Sequence, residues 1–247
     1  MTLAALGAIG AAVFTASFVS GIFGLAGGMI LLGTLLIFFD VATGMVLFSL
    51  LTTPGNAWRV VMWWRYIDWR IWFGYLAGGV AAFVVLRFIE VVPSKAVVYL
   101  LLGLMPWFIE LLPRGLQPSI TWRGVSVISG FATTGIQLMA GNGGMFLDIF
   151  FQKSELDRKV TVATKTASQT IGNVLRFVYF GSIGNALEVM PPWAFAAAVL
   201  LAIAGTSLAP LVLERMTDHG FRQWTRKLIL LVSLVFLTRA AWLFWNG

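Results

Sequence analysis

No cysteine occurs in the chain, which excludes disulfides, thiolate metal sites and cysteine nucleophiles. There is one histidine, His219, set among Glu214, Arg215, Asp218 and Arg222, the surroundings of a solvated loop. An enzyme would need a nucleophile with a base, or a metal cluster, and these residues do not supply one. No enzymatic activity, metal or cofactor is therefore expected. Charge is also scarce: Asp, Glu, Lys and Arg make up 11% of the 247 residues, against about 25% in soluble domains. Hydrophobic residues reach 59%. A soluble fold of this length has no means of covering so much apolar surface, because its exterior must carry charge. Lipid removes that requirement.

What is present is a series of apolar stretches: Leu3 to Phe39, Gly44 to Trp64, Ile71 to Leu86, Ala96 to Ile109, Val125 to Leu147, Trp193 to Leu213 and Leu228 to Trp245. A bilayer core needs about 17–25 residues per helix, and the runs lack the period-two alternation of a membrane barrel. The expectation is an all-α, polytopic integral membrane protein, multi-pass, with the lipid bilayer as its main partner. The opening run lacks the basic segment of a cleavable signal and is too long for one, so it is expected to belong to the membrane domain. The formal charge of +7 sits in short loops between spans, which reads as membrane orientation and not as nucleic-acid binding.

The chain is expected to be two homologous repeats of about four helical elements each. An offset of 117 carries Ser49, Thr52, Asn56 and Arg59 onto Thr166, Gln169, Asn173 and Arg176, and G-N-x-x-R occurs in both copies. Ser20-Gly21-Ile22 matches Thr134-Gly135-Ile136 and Gly27-Gly28-Met29 matches Gly143-Gly144-Met145, at offsets of 114 and 116 that differ by a shift of two residues. Pro113, Arg114, Gly115 and Pro118 mark a linker, which gives a first repeat over 1–112, a linker over 113–120 and a second repeat over 121–247.

The first element of each repeat should be broken. Met1 to Phe39 carries no charged side chain and would be about 58 Å long as one helix, nearly twice the bilayer core. Gly24-Leu25-Ala26-Gly27-Gly28 and Ala140-Gly141-Asn142-Gly143-Gly144 are the expected breaks, and interrupted helices at matching positions of two halves point to a transport site. If each broken element is a hairpin, loop Lys and Arg divide two against eleven between the two faces; single crossings give four against nine. The hairpin gives the stronger positive-inside bias and makes the repeats inverted.

Candidate site residues follow from the polar stripe. Thr52, Asn56 and Arg59 share one helix face, as do Gln169, Asn173 and Arg176. Polar groups facing hydrocarbon lack partners, so both faces must turn inward, either to bond helix to helix or to line a site. The two arginines either snorkel to headgroups or contact a ligand. Lys165 has Phe48 opposite it in the repeat and is either an interfacial anchor or a ligand contact. Gly27, Gly28, Gly143 and Gly144 either permit close packing or leave N–H groups for an anion at a half-helix start. Gln137 and Asn142 add donors beside the second cluster, and Asp148 either carries a coupled proton or pairs with a basic neighbour.

These stretches resemble a known family. Phe18-Val19-Ser20-Gly21-Ile22-Phe23-Gly24-Leu25-Ala26-Gly27-Gly28 is similar to the glycine-rich opening of the sulfite exporter TauE/SafE family, and Ser129-Gly130-Phe131 to Gly143-Gly144-Met145 is similar to its second copy. Tyr66-Ile67-Asp68-Trp69-Arg70 is similar to its short acidic loop. Proline usual after each glycine cluster is absent here. The resemblance implies movement of small sulfur-containing or organic anions, such as sulfite and sulfonates, across the cell's inner (cytoplasmic) membrane. The expected function is thus a secondary transporter, working by alternating access with export as the expected direction. A passive anion channel of the same fold and a membrane scaffold without transport are the alternatives. A homodimer is compatible with the sequence.

Overall fold

The computed structural model describes residues 3–23, 25–113, 117–181, 183, 191–213 and 218–246. Gly24 of the expected first break, Arg114 and Gly115 of the expected linker, and Glu214 and Arg215 lie outside the described residues, as does the side chain of His219. Among the described residues there are ten α-helices and no strand: α1 (Leu3–Phe23), α2 (Leu25–Phe38), α3 (Val41–Trp63), α4 (Trp69–Ile89), α5 (Lys95–Leu111), α6 (Val125–Ala140), α7 (Gly144–Phe151), α8 (Arg158–Gly181), α9 (Pro192–Leu213) and α10 (Asp218–Asn246).

Local chemistry sets several boundaries. Asp40, Asp68 and Ser94 cap α3, α4 and α5 by accepting from Thr43, Ile71 and Val97 main-chain N–H groups at 3.0, 3.1 and 3.4 Å. The acidic loop residue Asp68 is thus a helix cap, and its own N–H donates to Thr164 Oγ1 at 2.9 Å, tying the loop to α8. Trp69–Ile89, Pro192–Ala209 and Lys227–Asn246 are long and apolar enough to cross a membrane. Only 28, 24 and 22% of these stretches is buried, so most of each apolar surface faces outward, where lipid must cover it.

Both long first elements break where expected. α2 turns back on α1, with Gly27 so close that a side chain there would run into Ala16 and Ser20. α7 turns back on α6, with Gly143 against Thr133 and Gln137. These matching contacts place Ser20 opposite Gln137, at the offset of 117, in place of the expected match to Thr134; the one-residue difference between Ser20–Gly27 and Gln137–Gly143 is absorbed in the breaks. The expected linker is packed: Gln117, Ser119 and Ile120 are buried, and Ile120 N–H bonds Phe150 carbonyl at 2.8 Å.

The helices pair in a scheme that exchanges the two halves. α1 runs parallel to α9, with Gly10 against Leu201 and Gly205 against Phe14 and Phe18. α4 runs parallel to α6, with Gly74 against Ser126 and Gly78 against Val127 and Phe131. α3 crosses α8 antiparallel, as Ser49 meets Arg176 and Thr52 meets Asn173. α5 and α10 are also antiparallel, with Tyr99 beside Phe236 and Trp107 bonded to Ser233. The largest core cluster joins α2 and α3 to α5 and α10 through residues such as Leu32, Leu35, Val46, Leu102 and Phe236.

Candidate functional site

The α3–α8 crossing carries the polar stripes at its centre. Pro54 lies inside α3 between Thr52 and Asn56 and removes one helix hydrogen bond there. α8 presents Asn173 and Arg176 on the face that meets α3, so both side chains enter the interface together. Arg176 is 1% exposed. Its Nε donates to Ser49 Oγ at 2.8 Å and its Nη2 to Asn173 Oδ1 at 3.1 Å, while Nη1 donates to the Gly141 carbonyl. The guanidinium carbon lies 4.4 Å from the centre of the Phe48 ring, a cation–π distance. Asn173 is fixed in turn, accepting from Gln137 Nε2 at 3.1 Å and donating to Thr52 Oγ1 at 3.2 Å.

Both glycine breaks reach this cluster. Gly141 ends α6 in the left-handed conformation, φ 78°, which turns its carbonyl onto Arg176 at a position where a side chain would be strained. A Cβ on Gly28 would lie 3.1 Å from Asn142 Nδ2 and 3.5 Å from Phe48 Cζ, so the first turn of α2 faces Asn142 in the break before α7. Asn142 Oδ1 accepts the Gly144 N–H at 3.1 Å, and its amide nitrogen makes no hydrogen bond among the described residues. Gln137, Asn142, Asn173, Arg176, Thr52, Gly28 and the second glycine cluster are thereby brought to one place.

Other expected site residues are not. Arg59 is exposed, Asn56 and Gln169 are half-buried, and none of the three makes a hydrogen bond among the described residues. Gly27 packs inside its own hairpin, away from the cluster. Lys165 and Asp148 form an ion pair, each side chain 27% exposed; Asp148 thus has the basic neighbour that was one of its two expected roles, and Lys165 has a carboxylate partner that neither of its expected roles named. The partners of Arg176 among the described residues, Ser49, Gly141, Asn173 and Phe48, are all neutral. Three residues at the centre escaped sequence reasoning as contacts of Arg176: Ser49 was visible in the stripe, Phe48 only as the odd counterpart of Lys165, and the Gly141 carbonyl had no side chain to advertise it. Thr133 and Ser168 bury hydroxyls with no hydrogen-bond partner among the described residues. Among the described residues, no group of three His, Asp or Glu side chains stands close enough to hold a metal ion.

The family model described as sulfite exporter TauE/SafE matches residues 9–236. No curated protein and no solved structure matches the chain.

Proposed function

The chain belongs to the sulfite exporter TauE/SafE family of membrane transporters, and from that premise we propose that it is a secondary transporter of a small sulfur-containing or organic anion, bound at Arg176. The observation that carries this reading is a guanidinium buried among neutral partners. Desolvating an unpaired cation costs several kcal/mol, and an arriving anion supplies the missing charge. Arg176 has five N–H donors, of which its bonds to Ser49, Gly141 and Asn173 use three. The remaining two lie on Nη1 and Nη2, the pair that binds a sulfite or sulfonate in a bidentate manner. The free amide of Asn142 adds a donor from the second break. In this reading Thr52, Gln137 and Asn173 orient the arginine, and Gly28 leaves room for the ligand.

The repeats over 1–112 and 121–247, joined by 113–120, are read as inverted. A two-fold axis in the membrane plane turns every helix over. Equivalent helices then run in opposite directions, as α3 and α8 do, and as α5 and α10 do. The parallel pairs α1–α9 and α4–α6 are exchanged by the same axis. Such repeats with a central site suit alternating access in the cell's inner membrane, with export the direction the family suggests. Purified protein in liposomes tests this: saturable uptake of labelled sulfite or a sulfonate, accelerated by the same anion on the other side, is expected. An ohmic anion current without counterflow would replace the carrier by a channel.

A further inference from the structure

The α3–α8 interface contains its own unmade counterpart. The offset of 117 makes Ser49 and Thr52 equivalent to Thr166 and Gln169, and Asn56 and Arg59 equivalent to Asn173 and Arg176. Because the helices are antiparallel, the bonds of Arg176 to Ser49 and of Asn173 to Thr52 have mirror positions at the other end of the crossing. These are Arg59 with Thr166 and Asn56 with Gln169. Thr166 is already set for its part: its Oγ1 donates to Val162 carbonyl at 2.8 Å, just as Ser49 Oγ donates to Met45 carbonyl at 2.9 Å. The lone pairs that Ser49 gives to Arg176 are idle on Thr166. The two ends differ in cover. Gly172 is buried, with Gln137 where a Cβ would point, whereas Gly55 has open space there and Arg59 is exposed.

The second end also differs in charge. Phe48, under the Arg176 guanidinium, corresponds to Lys165, and Leu32, which packs at Gly141, corresponds to Asp148 across the one-residue difference in the breaks. We propose that Asn56, Arg59, Thr166 and Gln169, with Lys165 beside them, form a second anion half-site, engaged when the Arg176 set is released. The anion then passes between two arginines that are buried in turn. This rests on the anion-transport reading of the Arg176 site. Engaging both sets together would bury two unpaired cations against one anion, which desolvation opposes. Asp148 balances Lys165 while Arg59 is out, so the second end carries no bare buried charge in the state described here.

The chain has no cysteine, so paired thiols report the two states directly. Thr52→Cys with Asn173→Cys should form a disulfide readily, because these side chains touch. Asn56→Cys with Gln169→Cys should form little in the otherwise unchanged protein. Adding Arg176→Gln to that second pair should raise its disulfide yield about tenfold or more, the worth of one charge-assisted bond, and adding Arg59→Gln as well should abolish the rise. If Arg176→Gln does not accumulate, Ser49→Ala removes one of its acceptors and should shift the yield in the same direction. No rise with either variant, or a rise that survives Arg59→Gln, overturns the inference. Thermal shifts with sulfite and methanesulfonate, measured on the same protein, separate the two ideas. Stabilisation without exchange of cross-links refutes the second half-site alone. Exchange without stabilisation refutes these anions as ligands and leaves the two-state crossing standing.

Discussion

Replacing Arg176 tests the site most directly, because binding and stability should respond in different ways. Arg176→Lys keeps the charge but loses the planar fork, and with it at least one charge-assisted bond to the anion, about 1.5–3 kcal/mol. That corresponds to roughly tenfold to hundredfold weaker binding. Arg176→Gln loses the charge and both free guanidinium donors, so its loss should exceed about hundredfold. A thermal-shift titration reads this clearly. Anion at about 100 times Kd stabilises the folded protein by about 2.7 kcal/mol, whereas a variant binding about 100-fold more weakly gains only about 0.4 kcal/mol at the same concentration. Without anion the balance is closer. Arg176→Gln gives up bonds to Ser49, Gly141 and Asn173, yet it relieves the burial of an unpaired cation, which costs several kcal/mol. The unliganded melting temperature should therefore stay near that of the parent. Unchanged affinity in both variants refutes the site; a collapse of unliganded stability makes Arg176 a structural strut.

Further outcomes follow from the packing. Gly28→Val should fold but lose anion binding, since its added carbons enter the space between Asn142 and Phe48; retained transport would remove Gly28 from the site. Gly78→Ala should destabilise by about 1–3 kcal/mol, measured as a lower melting temperature, because a Cβ there would press on the Val127 carbonyl and the Phe131 nitrogen. Asp148→Asn leaves Lys165 unpaired at a half-buried position, and should lower stability and pH-driven accumulation, with substrate exchange retained. Adding Lys165→Met should restore the stability, and failure to restore it would show that the pair is not the cause. Cysteines at Arg65 and Ser154 should react with an impermeant reagent from the cytoplasmic face, and one at the exposed Val92 from the opposite face. Labelling of positions 65 and 154 from opposite faces refutes the inverted topology.

Much of this architecture was legible without coordinates because its causes are local. Hydropathy marks helices that lipid can cover, and glycine clusters mark where an overlong helix must break. Polar residues repeated at helical spacing mark a face that has to turn inward. The offset of 117 marked α3 and α8 as equivalent helices with inward polar faces, and the structure crosses them. Residue type misaligned the first elements by matching Ser20-Gly21-Ile22 to Thr134-Gly135-Ile136, whereas backbone contact at Gly27 and Gly143 keeps Ser20 at the offset of 117, opposite Gln137.

The unequal fates of Arg59 and Arg176 are a different matter. Both stand in the same G-N-x-x-R motif at equivalent points of equivalent helices, so no local property separates them. Arg176 is buried because the α6–α7 break places the Gly141 carbonyl over it and α3 places Ser49 and Phe48 beneath it; Arg59 is exposed. In the same way, Lys165 is an ion-pair partner and not a headgroup anchor only because α7 carries Asp148 back against α8. The sequence by itself determined which groups must avoid hydrocarbon. Only the tertiary structure decided which of them are enclosed, because enclosure depends on contacts between different helices that no local stretch of chain contains.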